Sequence, residues 1–254
     1  MKILLNVLPR TGSKWLNLNL FNYLEQTIRI PPMHEIYGIK NTISDWFNYK
    51  KQTELFINGE IIMNGDNFKV LHNPINNDEE CVKRLGLLKD CKLPLTIKEH
   101  PHNWYSLIAI EELKNNVDRY YTLRRKDTFE QGLSMSVCSY TNLWQPGLEQ
   151  LITIKKSIKS PFELDEKVFL QHLEMITLSN NYLDNQNPTK HLYFEDLILM
   201  DNPDLFCEYL GLPKVDFRMN YNSRLEYGTA KKEMITNYDR LRELYQDYKR
   251  NGGR

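Results

Sequence analysis

The sequence predicts an α/β fold in which a central, mostly parallel sheet is flanked by helices. Short apolar runs typical of buried strands alternate along the chain with longer segments that have helical spacing. The length of 254 residues is sufficient for one large α/β domain with a core of its own. We therefore expect a single domain over residues 1–254, with one small β-hairpin as an excursion from the sheet.

The first elements are set by local patterns. Residues 2–8 form the short apolar run of a buried parallel strand, and residues 13–26 carry apolar side chains near helical spacing. Asn58-Gly59 separates two apolar pieces within residues 54–65, which is a strong hairpin signal. Residues 66–94 are polar and predict an irregular segment.

The second half repeats the strand and helix alternation. Strands are predicted at residues 93–101, 118–127 and 190–198. Helices are predicted at residues 104–116, 128–144, 163–183, 202–213 and 235–250. Strands that alternate with helices run parallel, and ligands of such sheets bind beyond the carboxyl ends of the strands.

The chemically suggestive residues of the chain stand at these predicted strand ends. They are Arg10 to Lys14, Lys98 to His100, Arg124-Arg125 and Glu195-Asp196. The four strand ends are therefore expected to form one site.

Composition excludes several function classes. The formal net charge is +0, which disfavours a general nucleic-acid binder. The four cysteines are scattered without metal-ligand spacing, so we expect reduced thiols, no metal and a cytoplasmic protein. No stretch reaches the roughly 18 apolar residues of a membrane span.

The first strand is followed by a loop built for an anion. In PRTGSKW, residues 9–15, a glycine-containing turn joins the strand to the amino terminus of a helix, where N–H groups and the helix dipole favour negative charge. Gly12 permits close approach of the backbone, and Ser13 and Lys14 add a hydroxyl and a charge. The Walker A spacing is absent. The alternative is a simple capped helix with Lys14 in solvent.

A basic cluster closes the third long strand. Arg124 and Arg125 end that strand, and Ser134 lies within the helix that follows. The planar guanidinium of arginine suits phosphate or sulfate. A solvated basic turn is the alternative.

Together these stretches resemble the family of sulfotransferases that use 3′-phosphoadenosine 5′-phosphosulfate (PAPS). PRTGSKW is similar to the P-[KR]-[ST]-G-[ST]-x-W loop, which holds the 5′-phosphosulfate in that family. RKDTFEQGLS resembles its 3′-phosphate element, particularly the form found in bacterial members. TIKEHP is similar to the K-T-H stretch, whose histidine is the catalytic base in many members.

The resemblance continues toward the carboxyl end. LYFEDL followed by YLGLP resembles the family's late Y-x-E-D-L … F-L-G run, and ITNYDRLREL resembles a common ending of bacterial members. Residues 36–94 and 140–188 are not matched. The resemblance implies a P-loop-like three-layer sandwich of the bacterial or phage type. It also implies transfer of a sulfuryl group from PAPS to a hydroxyl or amine, without a metal, releasing adenosine 3′,5′-bisphosphate (PAP).

The resemblance also implies the residues of the site. The 5′-phosphosulfate would be held by Arg10, Thr11, Gly12, Ser13 and Lys14, and adenine would contact Trp15 and Tyr193. The 3′-phosphate would be held by Arg125 and Ser134, with Arg124 as the second candidate. For Trp15 and Tyr193, packing in the core is the alternative. The resemblance further implies that the Glu195-Asp196 pair orders the loops around the site rather than acting as an acid and base.

Catalysis would use a base and cations. His100 is the first candidate for the base, because its ordinary pKa is near neutral, and Glu35 is the second. Arg10 stands where many family members have lysine. An arginine stabilises the leaving phosphate but cannot donate a proton to it, and Lys14 is expected to share this role.

Two other functions stay open at this point. An ATP-dependent phosphotransferase would use a similar loop, but should carry a P-loop lysine and magnesium-binding carboxylates. A catalytically inactive module that binds PAP or another nucleotide is the second alternative. The acceptor pocket would come from residues 36–94 and 140–162, which are compatible with a small molecule, glycan, lipid or peptide, and with a homodimer contact.

Overall fold

The computed structural model describes residues 1–24, 33–34, 56–57, 60–61, 78–90, 95–102, 104–141, 161–219 and 230–252. The chain divides into two compact units, which we describe one at a time. Unit 1 comprises Met1–Arg124 and Asn185–Tyr221, and unit 2 comprises Arg125–Asp184 and Asn222–Arg254. The single domain expected over residues 1–254 stays a prediction.

The strands and helices alternate along the chain. The strands are β1 (Lys2–Val7), β2 (Met33–His34), β3 (Phe56–Ile57), β4 (Glu60–Ile61), β5 (Leu95–Glu99), β6 (Arg119–Arg124) and β7 (Lys190–Tyr193). The helices are α1 (Ser13–Leu24), α2 (Asp78–Asp90), α3 (Trp104–Leu113), α4 (Thr128–Thr141), α5 (Glu166–Asp184), α6 (Phe194–Leu197), α7 (Pro203–Leu210), α8 (Ala230–Met234) and α9 (Tyr238–Arg250).

Unit 1 is built on a five-stranded sheet of order β2-β5-β1-β6-β7. Every neighbouring pair in this sheet is parallel, with β1 at the centre between β5 and β6. Helices flank the sheet, which is consistent with a three-layer sandwich. The predicted α/β class and the parallel sheet are therefore confirmed. Because all these strands are parallel, their carboxyl ends lie at one edge of the sheet.

The core of unit 1 fills the space between β1 and its covering helices. Alternate residues of β1 point to one face, where Ile3, Leu5 and Val7 pack against Leu16 and Leu20 of α1. On β5, Thr96 pairs in register with Ile3 and is hydrogen-bonded to Asn17 of α1. Helix α1 therefore covers this face of the sheet, directly after the loop that follows β1.

Helix α7 has start and stop signals that can be read from the sequence. Its cap Asn202 accepts a hydrogen bond from the backbone N–H of Leu205, and Pro203 occupies the first position. Gly211 ends the helix in the left-handed region at φ 65°. The helix predicted over residues 202–213 is confirmed.

Two expectations about local structure need correction, and one is confirmed. The segment 66–94 was expected to be irregular, but Asp78–Asp90 forms α2, whose buried Cys81 and Leu85 supply a one-turn apolar repeat. The last helix, expected over residues 235–250, begins at Tyr238 as α9, and the short helix α8 lies before the predicted range. The hairpin is confirmed, since Ile57 and Glu60 pair in an antiparallel ladder.

Unit 2 is helical. Helices α4 and α5 pack together through Phe129, Leu133, Phe169 and Leu173, and Leu241 of α9 completes the same cluster. The close approach of α4 and α5 is marked by Gly132, where an added Cβ would lie 2.9 Å from Leu173. Among the helices described, none is long and apolar enough to cross a membrane.

Candidate functional site

The loop after β1 has an unusual backbone conformation. Arg10 has φ 62° and Gly12 has φ 72°, so two left-handed residues flank Thr11. Only glycine adopts this region without steric cost, and for Arg10 the cost is about 1–2 kcal/mol. Turns that alternate in this way point successive N–H groups into one concavity, which suits an anion. The strain at Arg10 is consistent with a functional loop.

Thr11 fixes the loop from the inside. Its side chain is fully buried, and its hydroxyl donates a hydrogen bond to the carbonyl oxygen of Leu8 at 2.6 Å. The hydroxyl proton of Thr11 is therefore used within the turn, and the role expected of Thr11 in anion binding stays a prediction. Thr11 would contact an anion through its backbone N–H.

Gly12 is required by its neighbours as well as by its φ. A Cβ at this position would lie 2.6 Å from the ring of Phe194, the first residue of α6. The carbonyl of Gly12 accepts the first helical hydrogen bond of α1, from Leu16 at 3.1 Å. The backbone of Gly12 therefore lies close to the ring of Phe194, one residue before α1 begins. Ser13 is buried at the start of α1, and Lys14 is its second residue.

His100 lies at the base of the same loop. Its Nδ1 is 2.7 Å from the carbonyl oxygen of Val7, the last residue of β1, and the ring is 7% exposed. A carbonyl only accepts, so Nδ1 carries the proton, and the lone pair of the neutral ring lies on Nε2. The ring also stacks on His102, with centroids 5.3 Å apart. The geometry gives His100 the tautomer that a base requires.

Lys98 is a buried cation that the sequence reasoning did not assign to catalysis. It is 3% exposed and pairs in register with Leu5, so its side chain lies on the sheet face that α1 covers. A lysine inside the apolar run LTIKE was the available signal, because lysine is rarely buried without a role.

The opposite face of the sheet carries three polar residues, of which Glu99 was noted from the sequence and Asn6 and Thr122 were missed. Asn6 pairs in register with Glu99 on one side and with Thr122 on the other, and all three are fully buried. Asn6 donates to the hydroxyl of Tyr120 at 3.0 Å. Polar residues within largely apolar strands are visible in the sequence, and Asn6, Glu99 and Thr122 are of this kind.

Arg124 is anchored within unit 1. Its guanidinium lies 3.2 Å from Nδ1 of His191, and the hydroxyl of Thr122 lies 2.7 Å from the same nitrogen. The guanidinium carbon also lies 5.8 Å from the ring centroid of Tyr193. Arg124 is 8% exposed, and these contacts give it a structural role in joining β6 to β7.

Arg125 and Ser134 both belong to unit 2. Arg125 is half-buried just before α4, and Ser134 lies on that helix with 7% exposure. Arg125 therefore precedes the helix that carries Ser134, as expected from the sequence. Glu35, the second candidate for the base, lies outside the described residues.

The remaining predicted residues lie in unit 1. Trp15 packs edge-to-face on Phe206, with centroids 6.1 Å apart, which supports the core reading of this side chain. Tyr193 donates its backbone N–H to the hydroxyl of Tyr209 at 3.4 Å. The hydroxyl of Tyr209 donates to the carboxylate of Asp196 at 3.2 Å. Burial is the main cause that raises the pKa of Tyr209 to about 12. Asp196 thus orders the segment after β7, as expected.

A cavity of about 190 Å³ lies at the other end of the sheet. Its lining residues precede or begin β6 and β7: Lys114, Asn115, Val117, Tyr120, Asn187 and Thr189. The cavity is therefore separate from the loop after β1 and from His100, which lie at the carboxyl ends of the strands.

No protein-family model and no curated protein matches the chain. Within the part of the chain that the structure describes, no group of three or more histidine, cysteine or carboxylate side chains is arranged to hold a metal ion.

Proposed function

We propose that the protein is a sulfotransferase that moves a sulfuryl group from PAPS to a hydroxyl or amine of an acceptor and releases PAP. The acceptor would be a small molecule, a glycan, a lipid or a peptide. The fold would be P-loop-like, with the nucleotide at the carboxyl edge of the parallel sheet.

The observation that carries this proposal is the hydrogen bond between His100 Nδ1 and the carbonyl of Val7. It sets the base beside the strand end from which the anion loop starts. Because that bond puts the ring proton on Nδ1, Nε2 is the nitrogen that would take the proton of the acceptor as the acceptor attacks sulfur. In that step the new O–S or N–S bond forms, the bond from sulfur to the bridging phosphate oxygen breaks, and PAP departs.

The loop of residues 9–15 would hold the phosphosulfate group. Arg10 and Gly12 are left-handed, and turns that contain such residues can form an anion-binding concavity of backbone N–H groups, to which α1 would add the positive end of its dipole. Charge that develops on the leaving phosphate would be stabilised there by Arg10, by Lys14 and by the buried Lys98. The sequence predicted this role for Arg10 and Lys14. Lys98 is added because it is buried on the face of the sheet that α1 covers.

The 3′-phosphate would be held by Arg125 and Ser134. Arg124 is committed to His191 and Tyr193, which favours Arg125 as the phosphate ligand. Ser134 is largely buried, as a hydroxyl that serves a specific site would be. Adenine would contact the outer side of Trp15 or Tyr193.

The two alternative functions can be separated by one donor comparison. The protein is incubated with PAPS, or with ATP and magnesium, and a mixed panel of phenols, alcohols, sugars and amines, and release of PAP or ADP is measured. The proposal expects PAP from PAPS, in amounts that rise with at least one acceptor. Release of ADP alone would indicate a phosphotransferase. Binding of PAP without any turnover, in the panel and in water, would indicate a binding module.

A further inference from the structure

Two helices of unit 2 hold a histidine between two serines. The hydroxyl of Ser136 lies 3.0 Å from Nδ1 of His172, and the hydroxyl of Ser139 lies 3.3 Å from Nε2 of the same ring. Both serines are on α4, and His172 is on α5, which packs directly against α4. Each nitrogen of the ring therefore faces a hydroxyl.

The hydrogen-bond partners fix the tautomer of this ring. Ser136 donates its one proton to the carbonyl of Gly132 at 3.0 Å, so it can only accept from His172, and Nδ1 carries the ring proton. Burial lowers the pKa of His172, which keeps the ring neutral at neutral pH. The lone pair on Nε2 is then directed at the hydroxyl of Ser139.

The two serines differ in their access to solvent. Ser136 is 2% exposed, whereas Ser139 is exposed near the carboxyl end of α4. A buried group that orients a histidine, which in turn faces an accessible hydroxyl, is the arrangement that activates a serine nucleophile. We propose that Ser139 is a nucleophilic serine that accepts an acyl group from an activated carboxylic ester, with His172 as its general base and Ser136 as a positioning residue.

The step balances without any further reactant. Ser139 Oγ attacks the carbonyl carbon of the ester and forms the new C–O bond, while its proton moves to Nε2 of His172. The bond from that carbon to the leaving oxygen breaks, and the leaving group takes the proton from His172. The products are an O-acylated Ser139 and the free alcohol or phenol. This site lies within unit 2 and does not depend on the proposed sulfuryl transfer.

The test uses para-nitrophenyl acetate on the full chain. The expected result is a burst of one equivalent of nitrophenol per protein, with a single acetyl group on the peptide that contains Ser139. The variant Ser139→Ala is expected to lose the burst. Thr141→Ala is the matched control, because Thr141 is on the same helix and its hydroxyl bonds only to the carbonyl of Val137 among the contacts described. This control is expected to keep the burst.

Two further measurements distinguish activation of Ser139 by His172 from simple solvent exposure of its hydroxyl. His172→Gln is expected to slow acetylation of Ser139 by about 10²–10⁴-fold, the usual contribution of a general base. In the wild-type protein, nitrogen NMR should find the proton of His172 on Nδ1, and in Ser136→Ala this preference should weaken together with the acetylation rate. An unmodified Ser139, an equal rate in His172→Gln, or a proton on Nε2 in the wild type would each overturn the proposal.

Discussion

The imidazole of His100 is bound to the carbonyl of Val7 through Nδ1, at 2.7 Å. Because Val7 ends β1 and the loop of residues 9–15 starts at Pro9, this bond ties the candidate base to the candidate phosphosulfate site. The two features are far apart in the sequence and come together only because β5 lies beside β1 in the sheet.

His100 is expected to be needed for transfer but not for nucleotide binding. In His100→Gln the proton acceptor is lost, so transfer from PAPS should slow by about 10²–10⁴-fold while the Kd for PAP changes by less than about threefold. The measurement is PAP release under saturating PAPS, with calorimetry for the Kd. His102→Gln is the control, since His102 stacks on His100 but is exposed, and it should retain most activity. Equal loss in both variants would argue against His100 as the base.

Gly12→Ala is expected to disrupt both the loop and the fold around it. The new methyl group would meet the ring of Phe194 at 2.6 Å. The alanine would also have to adopt the φ of 72° that Gly12 has. The left-handed backbone alone costs about 1–2 kcal/mol in free energy of unfolding. Urea unfolding measures the change, and PAP binding should fall at least tenfold, which corresponds to about 1.4 kcal/mol.

Gly86→Ala is the matched control for that substitution. Gly86 lies inside α2, and a Cβ there would meet nothing within 4 Å. Alanine is favoured over glycine in a helix by about 0.5–1 kcal/mol, so this variant should be slightly more stable and should bind PAP normally. If Gly12→Ala were as harmless as Gly86→Ala, the assigned loop geometry would be incorrect.

The two neighbouring arginines are expected to give different phenotypes. Arg124→Gln removes a charged hydrogen bond to His191 and a contact with Tyr193, so it should lower the free energy of unfolding by about 1.5–3 kcal/mol. Arg125→Gln should leave stability within about 0.5 kcal/mol. It should nevertheless weaken PAP binding at least tenfold without affecting ADP. The reverse pattern would make Arg124 the phosphate ligand.

Alkaline pH is expected to destabilise unit 1 through a buried phenol. Burial is the main cause that raises the pKa of Tyr121 from 10.0 to about 12, and its hydroxyl donates to the carbonyl of Leu210 at 2.7 Å. The unfolded chain releases this proton near pH 10 and the folded chain only near pH 12. The stabilisation is therefore complete below pH 10 and is lost as the pH rises toward 12.

Urea unfolding at pH 9, 10 and 11 measures this effect, with the values chosen to bracket the ordinary tyrosine pKa of about 10. In Tyr121→Phe the fall in stability between these pH values should be smaller than in the wild type. Tyr140→Phe serves as the control, since Tyr140 is exposed and lies outside this core. An identical pH profile for Tyr121→Phe and the wild type would exclude this role for Tyr121.

The local patterns of the sequence predicted the elements well where spacing and turn residues agree. The strand at residues 2–8 and the hairpin around Asn58-Gly59 were found in this way. Helix α2 was missed because its polar composition hides the short repeat of Cys81 and Leu85. A helix that buries only a narrow stripe has a weak pattern, and its tertiary partners are what stabilise it.

The candidate site was only partly predictable for a different reason. The sequence indicated His100 and the PRTGSKW loop, but not that Thr11 turns inward or that Arg124 is occupied by His191. Both facts depend on which side chain an adjacent strand or turn presents. The bond from Thr11 to Leu8 lies within one turn, whose left-handed residues Arg10 and Gly12 the sequence pattern does not specify. The bond from Arg124 to His191 follows from the register of β6 beside β7, which spacing along the chain does not contain.

Calorimetric titration of the protein with PAP and, separately, with ADP tests the proposed use of PAPS directly. The two nucleotides differ in the position of the second phosphate, so the ratio of their Kd values reports on a 3′-phosphate site. If PAPS is the donor, PAP should bind at least about tenfold more tightly than ADP, a difference of about 1.4 kcal/mol. Equal binding, or tighter binding of ADP, would contradict the assignment of Arg125 and Ser134 and with it the proposed use of PAPS.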